Sequence, residues 1–209
     1  MNDGFIALWL MTMAAILYFT GWEQAVADRL PIRVIGTFLA VACALQFIRL
    51  SLMDDIAATG SAVFILGTAI VLLFSIRQPG SMLFVLFSAL LTGFMWTWMS
   101  YIYAMDPVFV IIHPRWDGPV LAGLFAGLLA DRFRSHMTIV VLSGFIALSS
   151  RYLGPAAPSS PLLIGTLAWW DGIAIALTAA RIMSSFKIWV KERTLGFVER
   201  RSGEEGGRS

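Results

Sequence analysis

Long apolar runs decide what this chain can fold into. Six stretches meet or approach the roughly 20 residues that carry a helix across about 30 Å of hydrocarbon. They are residues 4–22, 32–50, 56–76, 82–105, 136–153 and 162–183. A less regular apolar region, 107–130, lies between the fourth and the fifth. Hydrophobic residues make up 58% of the 209 and charged ones only 13%, about half of the roughly 25% usual in soluble domains. A soluble fold of this size still exposes about a third of its unfolded surface, too much to hide such a composition. A bilayer removes the difficulty, because lipid solvates the outward helix faces. No stretch shows sustained alternation of period two, which excludes barrel strands. These features predict an all-α, polytopic transmembrane helix bundle of about seven spans, organised as one domain over residues 1–183.

The connections carry turn chemistry, as in Arg77-Gln78-Pro79-Gly80-Ser81 and Gly154-Pro155-Ala156-Ala157-Pro158. Basic residues set the orientation. With seven spans and the N-terminus outside, the inner regions hold Arg29, Arg33, Arg77, Arg132, Arg134 and the seven Lys/Arg residues from Arg181 onward, twelve in all. The outer regions hold Arg49, Arg115 and Arg151, three in all. The bias predicts an outside N-terminus and an inside C-terminus. Ala25-Val26-Ala27 has the form of a signal-peptidase site, but Met1-Asn2-Asp3 carries an acid and no basic side chain, so the first segment is expected to be retained as a span.

The region 107–130 strains a simple helical reading. Its uninterrupted apolar part, 119–130, is about 18 Å long as a helix, too short to cross unaided. Asp106 before Pro107, and Asp117 or Gly118 before Pro119, have the form of an N-cap followed by an N1 proline. Two arrangements stay open: two half-helices with a polar break at 113–118, or an interfacial segment over 107–112 followed by a short helix from Pro119.

Few residues in such a chain carry chemistry. Asp171 lies about nine residues into the last apolar run, near mid-depth, where a carboxylate costs several kcal/mol unless paired, hydrated or protonated. A proton- or cation-handling acid competes with a structural hydrogen bond or ion pair. Gln46 and Arg49 stand three apart on the second run and are the expected partners of Asp171 on the bundle interior. His113, Arg115, Trp116 and Asp117 put a titratable group, a cation, an aromatic and an acid within five residues. That set suits a phosphate or carboxylate headgroup, and equally a solvated outer loop. The candidate ligand or ion residues are therefore Asp171, Gln46, Arg49, His113, Arg115 and Asp117.

Other features read as packing. The aromatics of 92–103 suit an interfacial belt, with Trp96 deeper than a belt requires. Gly123 and Gly127, with Ala122, Ala126 and Ala130 at the same spacing, and Gly172, Ala176 and Ala180 on the last run, form small-residue faces. These favour close helix contact within the chain over dimerisation. Residues 184–201 combine Phe186, Trp189, Val190 and Phe197 with Lys187, Lys191 and Arg193. They predict a basic amphipathic segment drawn to anionic lipid on the inner leaflet. Residues 202–209 are expected to be a disordered tail.

Several chemistries are set aside. The lone cysteine, Cys43, allows neither an intramolecular disulfide nor a cysteine metal site. His113 and His136 have no ligand-like spacing, no lysine lies in the apolar runs, and HExxH and Walker motifs are missing. Neither a catalytic residue nor a cofactor is therefore expected, and without a soluble domain to hold a basic face no nucleic-acid partner is expected either.

The length, a first helix from Gly4 to Gly21-Trp22, about seven spans and the basic tail together resemble the YphA-type small polytopic membrane proteins of spore-forming Gram-positive bacteria. The resemblance implies a multi-pass protein of a bacterial cytoplasmic membrane with no assigned activity, and it transfers no site residues. Three classes of function follow: a non-enzymatic membrane or accessory protein with a protein partner, a lipid or a second copy; a small transporter or channel using Asp171; and a lipid-headgroup-modifying enzyme using His113, Arg115 and Asp117.

Overall fold

A computed structural model describes residues 2–53, 56–153 and 162–206. Among these residues the chain is dominated by helices: α1 (Phe5–Leu17), α2 (Glu23–Ala27), α3 (Ile32–Leu45), α4 (Gly60–Phe74), α5 (Pro79–Met105), α6 (Asp117–Leu129), α7 (Phe133–Leu153) and α8 (Leu167–Gly206). A π turn at Tyr18–Trp22 joins α1 to α2, and Gly21 at φ 96° breaks the helical path there. A side chain would resist that left-handed conformation, which glycine adopts freely. By length and composition, Phe5–Ala27, Pro79–Met105, Phe133–Ser150 and Leu167–Thr194 can each cross a membrane, while Ile32–Leu45, Gly60–Phe74 and Asp117–Leu129 are shorter apolar helices.

Three apolar runs are not helical to their ends. Arg49–Met53 forms β1, Ile56–Thr59 forms β2 and Leu162–Ile164 forms β3. β1 pairs antiparallel with β2, with Arg49 opposite Thr59, and β2 pairs parallel with β3, with Ile56 opposite Leu162. The all-helical expectation is corrected here. These three short segments meet at one end of the bundle, and pairing satisfies backbone groups that a frayed helix end would leave open. The turn at 154–158 lies outside the described residues.

Region 107–130 contains one short helix. Pro107–Phe109 makes a single 3-10 turn, which Asp106 caps by accepting the amide of Val108 at 3.0 Å. Helix α6 then begins at Asp117. A second half-helix does not form. Helix α8 runs unbroken for 40 residues, about 60 Å at 1.5 Å per residue, so 184–201 is a continuation of the last helix and not a separate one. Residues 202–206 are its last turn. Residues 207–209 lie outside the described residues.

Packing is organised by α7 and α8. Helix α5 lies along α7 and α6 along α8, while α1 rests on α8, α4 on α7 and α3 on α4. The tightest approach is α6 on α8. A Cβ on Gly123 would overlap the carbonyl oxygen of Ala176, and one on Gly127 that of Ala180. Ala122, Ala126, Ala176 and Ala180 are fully buried beside them. The small-residue faces therefore meet each other inside one chain, where van der Waals packing holds helices together in lipid.

Candidate functional site

Polar side chains gather at the two ends of the bundle. At the first end, Asp171 sits in the second turn of α8, which starts at Leu167. The expected mid-depth position is thus corrected: residues 162–164, counted in the sequence as the start of the span, belong to the sheet. Asp171 also does not pair with Gln46 or Arg49. Its Oδ2 accepts the amide of Gly4 at 2.8 Å and its Oδ1 the amide of Ala7 at 2.7 Å. Helix α1 has no side-chain cap of its own, and its first amides lack intrahelical acceptors. A carboxylate supplied by α8 satisfies two of them and opposes the positive end of the helix dipole.

Gln46, just past α3, serves the same end differently. Its Nε2 donates to the carbonyl of Gly165 at 3.1 Å, and its Oε1 accepts from Trp170 Nε1 at 3.2 Å and from the hydroxyl of Ser61. Ser61 shares a 2.9 Å hydrogen bond with Thr59. One amide side chain therefore ties α3 to α4, α8 and the loop after β3. Arg49 is exposed at the start of β1, away from this knot.

Asp117 is buried but does not cap α6. The carboxylate turns back on the preceding loop, taking the amides of Ile111 and Ile112 at 3.0 Å and of His113 at 3.3 Å, with the Tyr103 hydroxyl at 2.9 Å. Its acceptor positions are thus spent on shaping 111–113. His113 stacks on Trp116 at 4.8 Å between ring centroids and accepts the amide of Arg115 at 3.2 Å. Arg115 reaches Asp3 at 3.2 Å across exposed surface. His113, Arg115 and Asp117 therefore do not converge on one ligand position.

Trp96, the deep aromatic, packs on glycines from three helices. Added Cβ atoms would meet its ring at 2.9 Å from Gly118, 3.5 Å from Gly144 and 3.1 Å from Gly172. The absence of side chains at these points lets α6, α7 and α8 close around one indole.

The opposite end holds a second knot that sequence reasoning missed. Arg181 on α8 donates through Nε to the carbonyl of Ala25 at 2.7 Å, and through one terminal nitrogen to that of Gln24 at 2.9 Å and to Asp28 Oδ1 at 2.8 Å. Asp28 also accepts the amide of Phe133 at the start of α7, at 2.5 Å. Lys187 donates to the carbonyls of Leu128 at 3.0 Å and Ala130 at 3.3 Å and pairs with Asp131 at 2.5 Å. His136, fully buried, bonds the same Ala130 carbonyl at 3.0 Å. Arg181 thus caps the C-terminal end of α2, while Lys187 and His136 cap that of α6. Cations belong there, since unsatisfied carbonyls and the negative end of the dipole collect at a helix C-terminus. The one available signal was positional: Arg181 and Lys187 fall six residues apart where the last apolar run ends.

The arrangement offers hydrogen bonds that fix helix ends, and among the described residues no cluster of three His, Cys, Asp or Glu side chains is placed to hold a metal ion. One family model, described as YphA-like integral membrane protein, matches residues 3–205. No curated protein and no solved structure matches the chain.

Proposed function

The chain belongs to the YphA-like integral membrane protein family, and we propose that it crosses the membrane seven times, N-terminus outside and C-terminus inside, and acts by binding and not by chemistry. One observation carries the second part: four charged side chains set within the bundle are spent on backbone groups. Asp171 holds α1, Asp117 holds its own loop, and Arg181 and Lys187 hold α2 and α6. Both oxygens of Asp171 take backbone amides, so binding a proton or cation there competes with the contacts that hold the start of α1.

The orientation has its own support. Contacts gather the starts of α1, α4 and α8 with the end of α3 at the Asp171 end, and the end of α2 with the start of α7 at the Arg181 end. Helix directions alternate accordingly, and the basic majority falls at the Arg181 end. Around Lys187, α8 carries Phe186 stacked on Trp189, with Arg193 over the Trp189 ring at 5.5 Å. An aromatic–basic surface of this kind suits the headgroup region of an anionic inner leaflet.

The experiment is a proton and cation flux measurement on the full chain in sealed proteoliposomes, with and without Asp171→Asn. The expected result is no flux that depends on Asp171, together with a lower melting temperature for the variant. A flux abolished by Asp171→Asn at unchanged stability would replace the binding role with transport.

A further inference from the structure

We propose that the groove between α3 and α4 binds an anionic diacyl phospholipid of the leaflet at the Arg181 end, with Arg33 on its phosphate. This rests on the membrane-spanning orientation above. The groove has a volume of about 530 Å³ and is lined by Arg33, Val34, Thr37, Phe38, Val41 and Phe64, within the usual range for small-ligand sites. Its walls are apolar, and the Phe38 and Phe64 rings meet at 5.2 Å between centroids.

Charge and direction identify the occupant. Arg33, Thr37 and Val41 follow at spacings of four on α3 and so stand one above another, about 12 Å from first to last. The cation lies at the start of α3, five residues after Asp28, and the apolar part runs from there toward the middle of the bundle. A phospholipid has the same polarity: an anion at the surface and hydrocarbon pointing inward. The Thr37 hydroxyl donates to the carbonyl of Arg33 at 2.6 Å, so the groove keeps one polar donor group for a ligand. Among the described residues the Arg33 guanidinium makes no ion pair. Its planar fork matches phosphate oxygens in a bidentate contact. No carboxylate lines the groove, so nothing there would receive the ammonium of a zwitterionic headgroup, and an anionic one is preferred.

The test is native mass spectrometry of the full chain in detergent, titrated with dioleoyl phosphatidylglycerol or dioleoyl phosphatidylcholine. The first equivalent of phosphatidylglycerol should bind about tenfold more tightly, the difference one charge-assisted contact makes. Arg33→Gln should erase that preference, and Thr37→Trp, which fills the groove and keeps the charge, should weaken the first equivalent of both lipids. Replacing Lys191 and Arg193 by Gln should leave the preference intact. Equal binding of the two lipids by the unaltered chain would overturn the proposal, as would a preference that survives Arg33→Gln or follows the Lys191 and Arg193 changes instead. Displacement by glycerol 3-phosphate alone would show a headgroup site without a chain groove and overturn it as well. If Arg33→Gln lowers the melting temperature, the Thr37→Trp result decides. Failure of the spanning premise reads out separately, as release of the chain from membranes by alkaline carbonate.

Discussion

The carboxylate of Asp171 takes the backbone amide of Gly4 at 2.8 Å, across 167 positions of sequence. With the Ala7 amide on its other oxygen, it closes the start of the first helix against the start of the last. Asp171→Leu removes both acceptors and should cost about 2–4 kcal/mol, the sum of two charge-assisted hydrogen bonds less what water restores. Asp171→Asn keeps one carbonyl oxygen and should cost about half as much. Thermal melts in detergent would rank them: unaltered chain, Asn, Leu. An Asn variant as stable as the unaltered chain would show that the second amide contributes nothing.

The glycines of α6 and the glycines facing outward on α3 and α4 should behave oppositely. Gly123→Val and Gly127→Val drive a side chain into the carbonyls of Ala176 and Ala180, which cannot move without unwinding α8. These variants should elute as aggregates in size-exclusion chromatography. Gly36→Val and Gly67→Val enter open space and should stay within about 0.5 kcal/mol of the unaltered chain.

Arg181 and Asp28 form a pair whose side chains are 13% and 29% exposed. Arg181→Gln and Asp28→Asn should each destabilise the chain, and the double variant should cost less than the sum of the two. The expected coupling is about 1–3 kcal/mol, read from detergent melts as a double-mutant cycle. Additive losses would mean that Arg181 acts through the Ala25 and Gln24 carbonyls alone.

Orientation is testable without purification. Reporter fusions after Arg33, Arg77, Arg134 and Arg193 should all report the cytoplasm if the twelve-to-three distribution of basic residues sets the insertion. An external signal at Arg193 would reverse the orientation proposed here, and would also move the Arg33 groove to the outer leaflet.

Much of the architecture could be read from residue order. The apolar runs mark the helices, and the Gly123/Gly127 and Ala176/Ala180 faces mark the closest packing. The strands were harder to see. Arg49-Leu50-Ser51-Leu52 does alternate polar and apolar, but four residues are too few to separate a strand from a helix end.

The sequence by itself determined the solvent: its apolar content demands lipid, and helices follow because every backbone group in lipid must be bonded within the chain. Only the tertiary structure decided what the charged residues do. Asp171, Arg181 and Lys187 bind helix ends contributed by segments up to 167 positions away. A side chain's own neighbours do not reveal which distant helix lacks a cap. The unmet amides and carbonyls of each helix end are fixed by where that helix stops, and the packing of α7 and α8 decides which charge arrives to meet them.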